Sequence, residues 1–115
     1  MARLAKVATA RQAQLKDGRR LGFAEYGDPT GKPVFMFHDL WGNRTLRHPD
    51  DAILKQLGVR LIGIDRPGYG MSTRKPNHNL MDMVDDTMML AKGLNINKFG
   101  VLGYSAGAPY ALACA

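Results

Sequence analysis

Three stretches of this chain are apolar with little or no interruption: VFMFH at 34–38, VRLIGID at 59–65 and KFGVLGY at 98–104. Runs of this length, too short for helices and without polar alternation, predict strands covered on both faces, as in a parallel sheet. A fourth stretch, RRLGFAEYG at 19–27, follows a turn at Asp17-Gly18 and alternates apolar with polar positions. That period predicts a half-buried strand. The turn-rich GDPTGKP at 27–33 separates it from the first apolar run.

Between the strands the period changes to that of helices. Pro49 suits a first helical position, Asp50 and Asp51 suit the first turn, and Gly58 suits the stop. A second helix is predicted over about 80–92. Asn79 is its cap, Asp82 holds the capping-box place, and Gly93 is its end. Leu80, Val84, Met88 and Ala91 form its apolar stripe, while Asp82, Asp85 and Asp86 supply polar positions, with Asp85-Asp86 read as a solvated face. The methionines of this helix read as core filling. A third helix opens at Ser105. Strand and helix alternating three times predict right-handed crossovers. The fold class is α/β, with a mostly parallel sheet and crossover helices.

Composition narrows the field. The chain has 115 residues, a net charge of +6 and 45% hydrophobic content, which fits a globular domain and not a disordered segment. Six of its sixteen basic residues lie in the first twenty positions, against Asp17 alone. Residues 1–16 therefore read as a flexible basic leader, and residues 17–115 as one globular unit. Without a basic face interleaved with aromatics, no nucleic-acid partner is expected. No apolar run approaches the roughly 18 residues of a membrane span. The single Cys114 cannot form an internal disulfide and reads as a small buried hydrophobe. This agrees with a reducing compartment, and the cytoplasm is the expected location. The three histidines and Cys114 show no ligand spacing, so no metal or cofactor is implied. A dinucleotide site is excluded because GYGMST at 68–73 lacks the third glycine and starts no helix.

Ligands of open α/β sheets bind beyond the carboxyl ends of the strands. His38-Asp39-Leu40, Asp65-Arg66-Pro67-Gly68 and Ser105 all fall there. Of these, Gly103-x-Ser105-x-Gly107 carries the most chemistry. A serine hydroxyl attacks only when it is presented to a base and the resulting oxyanion is stabilised. A sharp strand-to-helix turn presents it, flanking small residues permit the turn, and the helix N-terminus adds positive potential.

With these motifs in order, the chain resembles the α/β-hydrolase superfamily. The matching stretches are DGRRLGFAEYGDPTGKPV at 17–34, FHDLWGNR at 37–44, DRPGYGMS at 65–72, DMVDDTMML at 82–90 and GYSAGAPYALACA at 103–115. The resemblance implies Ser105 as nucleophile, Gly103 and Gly107 as the elbow glycines, and the backbone N–H groups of Leu40 and Ala106 as the oxyanion hole. It makes His38, Asp39 and Asp65 loop-ordering residues. It implies a serine hydrolase acting on ester, amide or related acyl bonds of a small-molecule substrate. The alternative is a non-catalytic binding or complementation module with a hydrolase-like half fold.

The chain departs from the family pattern in three places. Asp39 stands where a glycine is usual, and is expected to strain the backbone and bring a carboxylate near a developing anion. Trp41 replaces a common proline, which predicts a less rigid loop with a bulky wall. The family's acid and histidine follow the serine, but only ten residues follow Ser105, none of them acidic or histidine. His38, His48 and His78 all lie upstream. The chain thus reads as the N-terminal portion of a hydrolase with an incomplete triad, inactive alone. Its serine strand is expected to expose an edge suited to self-association or to a complementing C-terminal chain.

Overall fold

The computed structural model describes residues 10–47 and 50–115. Its elements are β1 (Arg11–Gln14), β2 (Arg20–Gly27), β3 (Lys32–Phe37), α1 (Asp51–Gln56), β4 (Val59–Ile64), α2 (Leu80–Gly93), β5 (Gly100–Gly103), a 3₁₀ turn (Ser105–Gly107) and α3 (Ala108–Cys114). The five strands form one sheet in the order β1-β2-β4-β3-β5. β1 and β2 form an antiparallel hairpin, β2 meets β4 antiparallel, and β3 lies parallel to both β4 and β5.

The apolar runs become the sheet's centre for the reason their composition gives. Along β3, Phe35 and Phe37 face one side of the sheet and Val34 and Met36 the other. The first side joins Ile62 and Ile64 of β4 to Met83, Leu90 and Ala91 of α2 and Ala111 of α3. The second gathers Ala24, Tyr26 and Leu61 under Leu54 of α1. Phe35 and Phe37 are completely buried, and burial of such a side chain contributes about 1.5–3 kcal/mol. Phe99 meets Phe35 edge-on, with ring centroids 4.7 Å apart.

Three local expectations change. Residues 11–14, assigned by charge to the leader, form β1, so the folded unit begins before Asp17. The remainder of that leader, residues 1–9, lies outside the described residues. The cap of α1 is Asp50, whose side chain accepts from the Ala52 N–H at 3.0 Å. Pro49, expected as a first helical residue, lies outside the described residues.

The third change concerns the orientation of α2. Its capping box is present, with Asn79 and Asp82 each accepting the other's backbone N–H. Its inward face, however, is Met83, Asp86, Thr87, Leu90 and Ala91, while Leu80 and Met88 are exposed. The cause is Arg19, the residue just before the second hairpin strand. Its guanidinium forms a two-pronged bond to Asp86, at 2.8 and 3.1 Å, and its Nε donates to Asp17 at 2.7 Å. Both Arg19 and Asp86 are buried, so this pair faces α2 inward at Asp86 and leaves Asp85 outside. Thr87, which also faces inward, donates its hydroxyl to the Met83 carbonyl at 2.7 Å.

Removing Asp86 leaves the buried Arg19 guanidinium with only the half-exposed Asp17 to offset its charge among the described residues. Asp86→Ala is therefore expected to lower the unfolding free energy in urea by about 3–5 kcal/mol. The double change Arg19→Met with Asp86→Leu should recover most of that loss. An Asp86→Ala protein as stable as the parent would show that the pair does not anchor α2.

Candidate active site

β5 ends at Gly103, and the chain then reverses into α3 within four residues. The Tyr104 N–H donates to the Phe37 carbonyl at 3.1 Å, extending the pairing of β5 with β3 to the end of the strand. Ser105 follows, exposed, at φ 51°. Among the described residues two other non-glycine positions adopt positive φ, Asn77 and Asn95. Asparagine tolerates that region well; serine does not, so Ser105 is the strained position of the three. A side chain at Gly103 would place its Cβ 2.6 Å from the Ala108 Cα, and one at Gly107 would run into the carbonyls of Phe37 and His38. Glycine at both positions is what lets the turn close against the end of β3. Ala106 lies in the first turn of the helix, where backbone N–H groups have no intrahelical acceptor.

The loop after β3 is organised by a buried histidine. His38 Nε2 accepts the Arg66 backbone N–H at 3.0 Å, so in the neutral ring Nδ1 carries the proton and donates to the Asp39 carbonyl at 2.6 Å. The ring also meets Tyr69 edge-on at 4.7 Å. Burial holds its pKa below the ordinary 6.5, partly opposed by the bond to the Asp39 carbonyl. That carbonyl accepts two further donors, the Gly42 N–H and Arg66 Nη2, each at 3.2 Å. The strain expected at Asp39 is absent, because Asp39 is not among the residues with positive φ. The room is made at Gly42 instead, where an added Cβ would lie 2.5 Å from the Asp39 carboxylate. Leu40 is half-exposed and Trp41 is 92% exposed.

The loop after β4 depends on Asp65, which is completely buried. Its carboxylate accepts the N–H groups of Arg44 at 2.6 Å and Met71 at 2.8 Å, and the Arg44 guanidinium at 3.1 Å. Its carbonyl accepts the Ser72 hydroxyl at 2.6 Å, and Ser72 Oγ in turn accepts the Gly22 N–H at 2.8 Å. Asp65 thus ties the 65–72 loop both to Arg44 in the loop after β3 and to β2.

The structure brings Phe37-His38, Arg66 and the 104–107 turn to one edge of the sheet. Arg66, placed at this edge by the sequence but given no role, meets residues that the sequence reading did not single out: Arg44, Tyr69, Ser72 and Tyr110. Polarity alone marks none of them. Only the position of RPGYG directly after a buried strand gives Arg66 and Tyr69 away. His78 stands apart, nine-tenths buried, with Nε2 3.5 Å from Asp86. Its pKa is also lowered, chiefly by burial and partly opposed by Asp86. His48 lies outside the described residues. A hollow of about 340 Å³ between Lys16, Asp85, Met88 and Met89 shares no residue with the serine edge. No group of three His, Cys, Asp or Glu among the described residues could hold a metal ion. No helix among them is long and apolar enough to cross a membrane.

An exposed serine in left-handed backbone thus stands at a strand-to-helix turn, at the carboxyl edge of a mostly parallel sheet crossed by helices, which is an α/β-hydrolase architecture. Similarity to known proteins agrees. No family model matches the chain. It is 32% identical over 108 residues to a proline iminopeptidase of Xylella fastidiosa, covering 86% of this chain and 32% of that protein. An esterase from Exiguobacterium antarcticum superposes with a TM-score of 0.77 at 28% identity, covering 93% of this chain and 39% of that one. An epoxide hydrolase from an endophytic Streptomyces gives the same TM-score and identity over 93% of this chain and 32% of that one. The chain belongs to the α/β-hydrolase superfamily. It spans about a third of the length of the curated relatives it matches.

The buried His38 and the partly buried His78 set a pH dependence. In a folded state that disfavours the charged ring, the unfolded chain binds more protons just below pH 6.5. Their contribution to stability is therefore full above pH 6.5 and is lost as pH falls through their lowered folded values. Urea midpoints measured from pH 8 to 5 should decline below pH 6.5. His38→Gln and His78→Gln should each flatten that decline, and an unchanged slope in the double variant would contradict the assignment.

Proposed function

We propose that the protein is a serine hydrolase in which Ser105 attacks the carbonyl carbon of an ester or amide. The observation that carries this reading is the conformation of Ser105: exposed, at φ 51°, on a turn that two glycines press against the end of β3. Backbone strain of about 1–3 kcal/mol at one side chain persists where something holds it, and it gathers at reacting groups. The names of two similar proteins, proline iminopeptidase and esterase, both describe cleavage of an acyl bond.

In this mechanism the Ser105 proton passes to a base as Oγ bonds to the carbonyl carbon, and the C=O electron pair moves onto oxygen. The N–H groups of Leu40 and Ala106 receive that oxyanion. Collapse expels the alcohol or amine, which takes the proton from the base, and water then cleaves the acyl-enzyme by the same steps. His38 is not the base, since both its ring nitrogens are engaged with backbone. The reading assigns the base and its carboxylate to residues outside these 115, in a longer polypeptide or a complementing one. Asp39 stands beside the oxyanion donors and disfavours negative charge there, which predicts modest turnover. A binding module without turnover is the competing reading, favoured by the open edge of β5 with Leu102 half-exposed.

The test is covalent labelling by an organophosphonate probe, with peptide mass mapping. Assayed with the polypeptide that supplies the base, the parent should be labelled at Ser105 and Ser105→Ala should not. Turnover of an activated ester should fall at least about 1000-fold in the variant. Ester turnover that survives unchanged in Ser105→Ala would end this reading, and a parent that resists the probe would favour the binding module.

A further inference from the structure

We propose that Arg66 is a positioning residue for the oxyanion hole: by anchoring the Asp39 carbonyl it aims the Leu40 N–H, which belongs to the same peptide group. This rests on the reading of Ser105 as nucleophile. A peptide unit is planar and trans, and the structure holds no cis bond among its described residues. Its C=O and N–H therefore point in opposite directions. Whatever fixes the Asp39 oxygen also fixes the direction of the Leu40 N–H. Three donors converge on that oxygen: His38 Nδ1, the Gly42 N–H and Arg66 Nη2. The Leu40 N–H donates to no group among the described residues, so it is left for a ligand.

Two of those three donors depend on residue 66. Arg66 supplies Nη2 directly. Its backbone N–H also occupies His38 Nε2, which places the ring proton on Nδ1, facing the Asp39 carbonyl. The backbone N–H of residue 66 thus sets the tautomer of His38, and the arginine side chain adds a direct hold on the Asp39 carbonyl.

Packing alone gives no reason for a guanidinium here. Arg66 is 7% exposed, no carboxylate lies within ion-pair distance of it among the described residues, and its Nε is buried without a partner. Burying a cation unpaired is expensive, and an apolar side chain of similar volume would fill the space without that penalty. What holds the group is the Asp39 carbonyl and two ring faces, Tyr69 at 4.9 Å and Tyr110 at 5.0 Å. Tyr110 lies on α3, the helix whose entry turn carries Ala106. Arg66 therefore touches both walls that supply the oxyanion donors, and its charge lies on the carbonyl side of the peptide whose N–H faces the anion. A donor held in advance of the reaction needs no reorganisation when charge develops.

The experiment uses the protein as isolated, with any polypeptide that accompanies it, and reads two quantities in Arg66→Met. The first is the second-order rate at which the organophosphonate probe labels Ser105, with Ser105→Ala as blank. The second is the Leu40 amide resonance in a ¹H–¹⁵N spectrum. The expected result is a shifted Leu40 amide and labelling slowed by roughly 10- to 100-fold in a protein that still unfolds cooperatively. Arg66→Lys, keeping the charge on a single donor nitrogen without the planar fork, should fall between. If Arg66→Met does not fold, Arg66→Lys and Tyr110→Leu are read in the same two ways. A folded variant with an unmoved Leu40 amide, or one with a moved amide and parental labelling, overturns the proposal. A parent that is not labelled at all overturns it together with the Ser105 reading, and the Leu40 amide then shows separately whether Arg66 anchors the loop.

Discussion

The close approach of two backbones, the end of β3 and the turn after β5, is the constraint on which the site depends. Gly107 lies against the carbonyls of Phe37 and His38 with no room for a Cβ, and the Tyr104 N–H bonds to the Phe37 oxygen from the other side of the turn. With those contacts fixed, Ser105 has one direction left to point. Its left-handed conformation follows from the geometry around it rather than from any preference of serine. The sheet supplies the rigidity: β3 is paired on both sides and filled on both faces, so its last residue is among the least movable points of the molecule.

A second layer of order comes from polar groups buried against backbone. Asp65 and His38 are each almost without exposure, and most of their partners are main-chain N–H and C=O groups. Loops without regular structure leave such groups without ladder partners, and leaving them unpaired under the surface is costly. A buried carboxylate answers several donors at once and a buried neutral imidazole one of each kind. The chain uses one of each, directly after two neighbouring parallel strands.

Much of this was legible in the sequence, and the misreadings have physical causes. The central strands were plain because burial on both faces demands uninterrupted apolar residues. The tight turn at 103–107 was plain because only glycine fits where Gly103 and Gly107 sit. β1 was missed because an edge strand needs no apolar pattern: Arg11, Gln12 and Gln14 are exposed, and only ladder bonds to β2 make them a strand. The face of α2 was misjudged by rotation, since Leu80 and Met88 obey helical spacing as well as Met83 and Leu90 do. Arg19, 67 residues from Asp86 along the chain, decided between them. Strain was expected at Asp39 from residue type, but φ belongs to the loop, and Gly42 absorbs the tight approach. The place of Arg66 at the edge was legible but its partner was not, as with Arg19: a charge's destination depends on which distant group needs a donor.

The loop after β3 keeps its two kinds of chemical information on different atoms. What orders it runs through the His38 ring and the Asp39 carbonyl, on the inner side, while Leu40 and Trp41 send their side chains outward, Trp41 almost wholly into solvent. Every amino acid except proline carries a backbone N–H. The outer surface of this loop is thus free to drift through nearly the whole alphabet while its inner hydrogen bonds stay as they are. A scaffold partitioned this way can acquire a new molecular preference by single substitutions at 40 and 41, without first losing the geometry that any preference would need.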